Sequence, residues 1–336
     1  MTAAPIQSRE VRLKSRPEGI PSVDDFAVAS VTLDPPGRGQ VQVRNRWMSV
    51  DPYMRGRMTT QKSYLPPFQI DAPLEGAAIG EVVASNFAGL QPGDLVQSML
   101  GWREAFNAPG LVVQKLPGED LPPEAYLGVA GLPGLTAYAG LVKVAGIKAG
   151  EVVFVSAAAG AVGSAACQIA KIYGATVIGS AGREDKCAFL REIGVDHVIN
   201  YREQHDLTAA LAEVAPNGID VYFDNVGGAH LEAALANAKT FARFPLCGMI
   251  SRYTAADARG PANILLANQK SLRLEGFMVS SYFHLMPEFV RIMAGWVGSG
   301  QVKSRQTVDE GIDQAPVALV KLFTGDNVGK MLVKLS

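Results

Sequence analysis

The chain has 336 residues, 48% hydrophobic and 19% charged, with a formal net charge of −1. That length supports a sizeable core and two domains rather than one. Near-neutral charge gives no broad basic field, which argues against nucleic acid or an anionic membrane as the main partner and points to a small ligand.

The N-terminal stretch MTAAPIQSREVRLKSRPEG has no apolar leader segment, and no later run approaches a membrane span. The expectation is a soluble, cytoplasmic protein. Roughly the first 125 residues carry short β-prone runs: VQVRNRWMSV (41–50), AAIGEVVASN (77–86), DLVQSM (94–99) and LVVQKL (111–116). Turn signals such as DPPGRG (34–39), QPGD (91–94) and LPGED (116–120) separate them. Such spacing predicts an antiparallel sheet or small barrel.

From about residue 127 the text alternates between strand and helix. VVFVS (152–156), ATVIGS (175–180), HVIN (197–200), DVYFDN (220–225) and RFPLCG (243–248) read as strands. SAACQIAKIYG, EDKCAFLREIG, DLTAALAEVA and HLEAALANA read as the helices between them. Apolar strands alternating with helices predict a parallel sheet covered on both faces, the doubly wound arrangement. The closing stretch GKMLVKLS (329–336) returns to β-like text and is expected to pair with the first domain.

The run VVFVSAAAGAVGSAACQIAKIYG (152–174) leads from a strand through small residues into a helix. It resembles a dinucleotide fingerprint in which Ala158 replaces the first glycine and Gly160 and Gly163 remain. Gly160 lets pyrophosphate approach the backbone, and Gly163 permits close helix–strand packing, while the helix N-terminus receives the negative charge. Ala158 is compatible with that role if its φ stays negative. An ordinary small-residue turn with no ligand is the alternative.

NAD-binding chains usually place an acid about 20 residues on, against the ribose 2′-hydroxyl. Here the strand ends GSAG (179–182), followed by Arg183 and Lys186. A missing acid and two added cations favour NADP(H), although surface solvation would also account for the cations. Cys167, Cys187 and Cys247 show no C-x-x-C spacing, and the four histidines no H-x-x-x-H, so no structural zinc lobe can be assembled. The cysteines are expected to be reduced, buried hydrophobes.

The segments SVDPYMRGRM (49–58), LEGAAIGEVV (74–83), GLPGLTAY (131–138), AAAGAVGS (157–164), YFDNVGG (222–228), LCGMIS (246–251) and GDNVGK (325–330) carry a resemblance across nearly the whole chain. They resemble the zinc-independent medium-chain dehydrogenase/reductases, and within them the NADPH-dependent alkenal and enone double-bond reductases of prostaglandin reductase and curcumin reductase type. The resemblance implies a GroES-like, mainly β domain over 1–126, completed by 300–336, and a Rossmann NADP-binding domain over 127–299. It implies that Gly160, Ala161, Val162 and Gly163 hold the pyrophosphate, while Lys186 and Tyr201 approach the 2′-phosphate. Asn225 is placed near the ribose, and Cys247, Gly248, Met249, Ile250, Ser251 and Tyr253 along a backbone wall. Phe277, Met278 and Val279 fall at the nicotinamide end, with Thr136 also there, and Asn327 reaches back from the final strand. Two departures stand out: Ala242 where the family has glycine, and SSYFHLM (280–286), which does not align with it.

The resemblance also implies the chemistry. Zinc alcohol dehydrogenases on this scaffold polarise a carbonyl with metal, whereas LEGAAIGE (74–81) offers neither histidine nor cysteine. Reduction of an α,β-unsaturated aldehyde or ketone by hydride transfer to the β-carbon needs only placement and a donor at the developing enolate oxygen. Tyr53 and Tyr282 are the candidate donors, against the ordinary alternative of half-buried packing tyrosines. The cofactor ribose hydroxyl is another stabiliser, with water protonating the α-carbon. Asp51 and Arg55 read as residues that pin the Tyr53 loop, and His284 as a surface histidine. Cys247 contributes its backbone, with nothing to mark its thiol as a nucleophile. A quinone reductase of the same superfamily and a non-catalytic NADPH-binding protein are the rival readings. A homodimer is expected, and loops 60–70 and 254–262 are expected to set substrate preference.

Overall fold

The computed structural model describes residues 4–61, 63–118, 120–254 and 259–335. The two loops expected to shape substrate preference therefore fall partly outside the described residues, at Lys62 and at 255–258. The backbone divides into two compact units. One holds residues through Leu127, Gln306–Asn327 and the stretch from Met331 onward; the other holds Gly128–Arg305 and Val328–Lys330.

The first unit is built from β1 (Ile6–Leu13), β2 (Phe26–Leu33), β3 (Gln40–Ser49), β4 (Ala78–Ser85), β5 (Leu95–Ser98), β6 (Ala105–Pro109) and β7 (Gln114–Lys115), with the short helix α1 (Met54–Arg57). The second contains β8 (Val152–Val155), β9 (Thr176–Ala181), β10 (His197–Asn200), β11 (Ile219–Phe223), β12 (Ala238–Leu246) and β13 (Arg273–Gly276). Its helices are α2 (Leu132–Tyr138), α3 (Ala161–Ile172), α4 (Glu184–Glu192), α5 (Leu207–Val214), α6 (Gly228–Asn237), α7 (Leu265–Gln269) and α8 (Met286–Gly298). The chain ends with β14 (Gln306–Glu310), α9 (Ala315–Thr324) and β15 (Lys330–Lys334). No described helix is long and apolar enough to cross a membrane.

In the first unit the strands run in the order β14-β15-β3-β4-β5-β7, with β6 also on β3 and β1-β2 as a separate pair. The final strand does pair back, with Leu332 opposite Ser49 and Val333 opposite Met48. Alternating side chains bury Val11, Leu13, Met48, Leu74, Ala78, Trp102 and Leu319 in one cluster, and Val41, Val43, Val82, Val96 and Phe106 in another. The run LVVQKL departs from expectation. Only Gln114–Lys115 is strand, and Leu111 and Val112 sit exposed in a one-turn helix that begins after Pro109. A proline that ends β6 removes the donor a continuing ladder would need.

The second unit is the expected parallel sheet, ordered β10-β9-β8-β11-β12-β13. Central β8 reads VVFV and is buried through Val153, Phe154 and Val155, because both faces are covered. One face sends Phe154, Ile178, Ile199 and Tyr222 into a core with Leu211 of α5 and Leu231 and Leu235 of α6. Two residues further along the same face, at the strands' carboxyl ends, come Ser156, Ser180 and Asp224, all fully buried. The apolar core thus gives way to a polar layer where the sheet ends, the usual place for ligands in such folds.

Val328–Lys330 is stitched onto this unit. Gly329 donates its N–H to Ala159 O at 2.7 Å, and Lys330 N–H donates to Arg305 O at 2.9 Å. Gly329 has φ +69°, and a Cβ there would lie 2.0 Å from Arg305 O. Gly329→Ala is therefore expected to lower stability by about 2–4 kcal/mol, combining left-handed strain with a backbone clash. Urea unfolding measures the loss; an unchanged midpoint would show that the segment is not held as described.

Candidate active site

The phosphate turn is shaped by two glycines with different duties. A Cβ on Gly163 would lie 2.3 Å from Ala157 O and 2.8 Å from Ala158 Cα, so only glycine lets α3 pack against its own turn. On Gly160 it would meet only Ala157 O, at 3.3 Å, leaving the backbone open on its other side. Gly160 caps α3 without a side-chain hydrogen bond, so the first-turn N–H groups of Ala161, Val162 and Gly163 present the positive end of the helix. The left-handed residue is Ala157, with φ 46°, rather than Ala158. Ala158 is buried and donates its N–H to Ser180 O at 3.0 Å. The strain of the missing first glycine thus falls one residue earlier than the motif places it.

At the end of β9, Arg183 caps α4 and Lys186 lies in its first turn. Arg183 is clasped by Asp185 at 2.7 Å, and this bond holds the Asp185 carboxyl below the usual carboxylate range. Tyr201, which follows β10, lays its phenol over Gly182: a Cβ there would be 2.6 Å from Tyr201 Oη. Gly182, Arg183 and Tyr201 therefore form one corner, with Lys186 a turn further along α4.

Sequence reading missed the polar layer at the carboxyl ends of β8, β9 and β11. Asp224 Oδ1 accepts from Tyr222 Oη at 2.7 Å, from the N–H groups of Val226 and Gly227 at 2.9 and 2.7 Å, and from Ser156 Oγ at 3.4 Å. Burial raises the Asp224 carboxyl, and these hydrogen bonds oppose the rise. Asn225 is fixed by the same layer, donating from its backbone to Ser156 Oγ at 2.9 Å and from Nδ2 to Ser156 O at 2.8 Å. The expected backbone wall is latched to this turn. Cys247 and Gly248 donate N–H to Asp224 O, Ile250 to Asn225 O, and Ser251 to Val226 O. The only signal in the sequence was an acid closing an apolar strand.

A cavity of about 510 Å³ opens along this wall, lined by Cys247, Gly248, Met249, Phe277, Met278 and Tyr282 among others. Phe277 meets Tyr282 edge-on at 6.3 Å and Phe223 at 6.4 Å. Val279 opens the short 3₁₀ helix that carries Tyr282, and Tyr253 stands near Gly248, whose Cβ would lie 3.1 Å from the phenol oxygen. Thr136 donates its hydroxyl to Leu132 O within α2. Cys247 is half-buried rather than buried like Cys167 and Cys187, because β12 leaves the core at Leu246. Burial nevertheless pushes its thiol up to about 12, so thiolate is scarce near neutrality. His284 is exposed.

In the first unit, Tyr53 opens α1 after Pro52. Arg55 is buried and donates to Gly19 O at 2.8 Å and Pro17 O at 3.1 Å, while Ser49 donates to Asp51. Arg57 donates to Pro66 O at 2.9 Å and Glu75 at 2.8 Å, with its guanidinium 4.1 Å from the centre of the Phe68 ring. Both arginines anchor the turn, and Met54 and Met58 are fully buried beneath it. Against that pinning, the Tyr53 hydroxyl is buried with no hydrogen-bond partner among the described residues. Burial, and next Asp51, push it well above the ordinary tyrosine range, so it stays protonated and able to donate. Asn327 is buried just ahead of Val328–Lys330. Among the described residues, no group of three His, Cys, Asp or Glu is arrayed to hold a metal.

Comparison with known proteins agrees over the full length. Residues 9–116 match the N-terminal domain of oxidoreductase family, and residues 161–295 match the zinc-binding dehydrogenase family. The NADP(+)-dependent 2-alkenal reductase of Nicotiana tabacum is 41% identical over 99% of each chain. Prostaglandin reductase 1 of Mus musculus is 38% identical over 98% of this chain and 99% of its own. The crystal structure of CurA from Vibrio vulnificus in complex with NADPH superposes with a TM-score of 0.92 and 38% identity, covering 98% of this chain and 99% of that one.

Proposed function

The chain belongs to the medium-chain dehydrogenase/reductase family, and we propose that it reduces the carbon–carbon double bond of α,β-unsaturated aldehydes and ketones with NADPH. Full-length similarity to an alkenal reductase and a prostaglandin reductase supports the activity. The observation that carries the chemistry is the buried Tyr53 hydroxyl, which has no hydrogen-bond partner among the described residues.

The residues fit the cofactor. Gly160 and Gly163 leave the phosphate turn bare, Tyr201 lies over Gly182 with Lys186 a turn along α4, and Phe277 and Met278 line the cavity, with Val279 next in the chain. Asn327 completes the proposed cofactor set. When bound, reduced nicotinamide supplies the hydride. Tyr53 then offers its O–H to the carbonyl oxygen, where charge accumulates as the β-carbon is reduced, with Tyr282 as a second donor. A buried donor of this kind is preorganised, and one is typically worth ~3–4 kcal/mol at the transition state. The reading requires no metal, since residues 74–81 contain neither histidine nor cysteine.

A panel of enones, quinones and simple alcohols, followed by loss of NADPH absorbance, tests the reaction. Turnover should be confined to enones and enals, and Tyr53→Phe should cut kcat on them by about 100- to 1000-fold. A preference for quinones, or an unchanged kcat, would remove this assignment. Lys186→Ala should raise KM for NADPH about tenfold or more while sparing NADH; equal effects would show that the lysine does not read the 2′-phosphate.

We read the protein further as a cytoplasmic homodimer. Its three cysteines are free thiols, and β13 ends its sheet with Arg273 and Glu275 exposed. Exposed Phe241, Ile264 and Leu265 add apolar surface to that unit. Sedimentation equilibrium should give twice the 35.6 kDa chain mass, and a single-chain mass would end the dimer reading.

A further inference from the structure

Between Phe154 of the apolar core and Tyr201 lies a histidine that the proposed chemistry does not use. His230 stands in the first turn of α6, which opens through Gly227 and Gly228, both at positive φ. It is 6% exposed, and its Nε2 is buried with no hydrogen-bond partner among the described residues. Ring contacts hold it. Phe154 stacks on it at 6.4 Å and 12°, and Tyr201 meets it edge-on at 4.9 Å and 81°.

We propose that His230 is a positioning residue for NADPH selection, holding the Tyr201 phenol over Gly182, where the adenosine 2′-phosphate is read. This rests on the assignment of Tyr201 and Lys186 to that phosphate. The chain of contacts runs from the sheet outward. Phe154 is fully buried in β8 and fixes one face of the imidazole. The imidazole bears on the ring of Tyr201, and Tyr201 reaches so close to Gly182 that no side chain could be added there. A tyrosine at the end of a short strand would otherwise swing about its χ1. The flat imidazole removes that freedom at the corner where Arg183 enters α4.

His230 does not itself bind the anion. Burial lowers its pKa to about 4, so near neutrality it is uncharged. Its role is a ring's role, and a ring can be replaced.

The test uses the full-length enzyme and steady-state kinetics with NADPH and NADH. His230→Ala should raise KM for NADPH about three- to tenfold, the range that one edge-to-face contact commands, while leaving KM for NADH and kcat with either cofactor within twofold. His230→Phe keeps a ring between Phe154 and Tyr201 and removes the orphaned nitrogen, so it should restore the NADPH value. Thermal melting confirms that both variants are folded. Equal rises for NADPH and NADH, a fall in kcat alone, or failure of phenylalanine to rescue would each overturn the proposal. Lys186→Ala is run beside them. If it shifts the NADPH-to-NADH ratio and His230→Ala does not, the histidine inference fails alone. If neither shifts it, the phosphate assignment fails as well.

Discussion

One buried carboxylate oxygen organises the cofactor half of this protein. Asp224 Oδ1 draws together Tyr222, Ser156 and the N–H groups of Val226 and Gly227, and the Asp224 carbonyl takes the N–H groups of Cys247 and Gly248. An unmade bond to a buried donor costs about 1–3 kcal/mol, so removing this carboxyl would orphan several groups at once. The carboxyl is expensive to bury, as its raised pKa shows, and the hydrogen bonds offset that cost. The consequence is geometric. β8 and β11 end level, Asn225 is aimed by Ser156, and residues 247–251 lie against 224–226 as a wall of backbone rather than of variable side chains.

The other unit solves the opposite problem. The proposed role of Tyr53 needs an unsatisfied hydroxyl, and a flexible loop would not keep one buried. Pro52 stiffens the approach, Arg55 and Arg57 bind carbonyls on either side, and two buried methionines fasten the turn to the core. The side chains around Tyr53 in α1 are thus engaged in structure, while its phenol has no hydrogen-bond partner among the described residues. Under the proposed function, that is the place where substrate would complete the hydrogen bonding.

Much of the architecture was legible because its signals are local. An apolar run such as VVFV can only be a buried parallel strand once helices alternate with it, and the edge strand β10 falls on 197–200 as read. The hairpin of IQSREVRL and FAVASVTL was not read, because Arg9, Glu10 and Arg12 interrupt the pattern; the structure pairs Arg9 with Glu104 and Arg12 with Glu10 instead. Among site residues, motif spacing pointed to Gly160 and Gly163, and absence of an acid after β9 pointed to Arg183 and Lys186. Asp224 and His230 gave no such signal. Their meaning comes from strands brought level by the fold, 68 residues apart in the case of Ser156 and Asp224.

The proposed 2′-phosphate corner is built more by subtraction than by charge. Arg183 spends part of its guanidinium on Asp185 two residues away, which tempers it as a phosphate receptor. No carboxylate closes β9, the two acids that open α4 are paired, Asp185 with Arg183 and Glu184 with Arg191, and the nearby imidazole is kept neutral by burial. In the proposed assignment, a phosphate at Gly182 meets a fixed phenol, with Lys186 in the first turn of the following helix. Cations alone would attract any anion. Under the proposed assignment, a rigid aromatic at a glycine, with both neighbouring acids already paired, would turn attraction into a preference for one position of the charge.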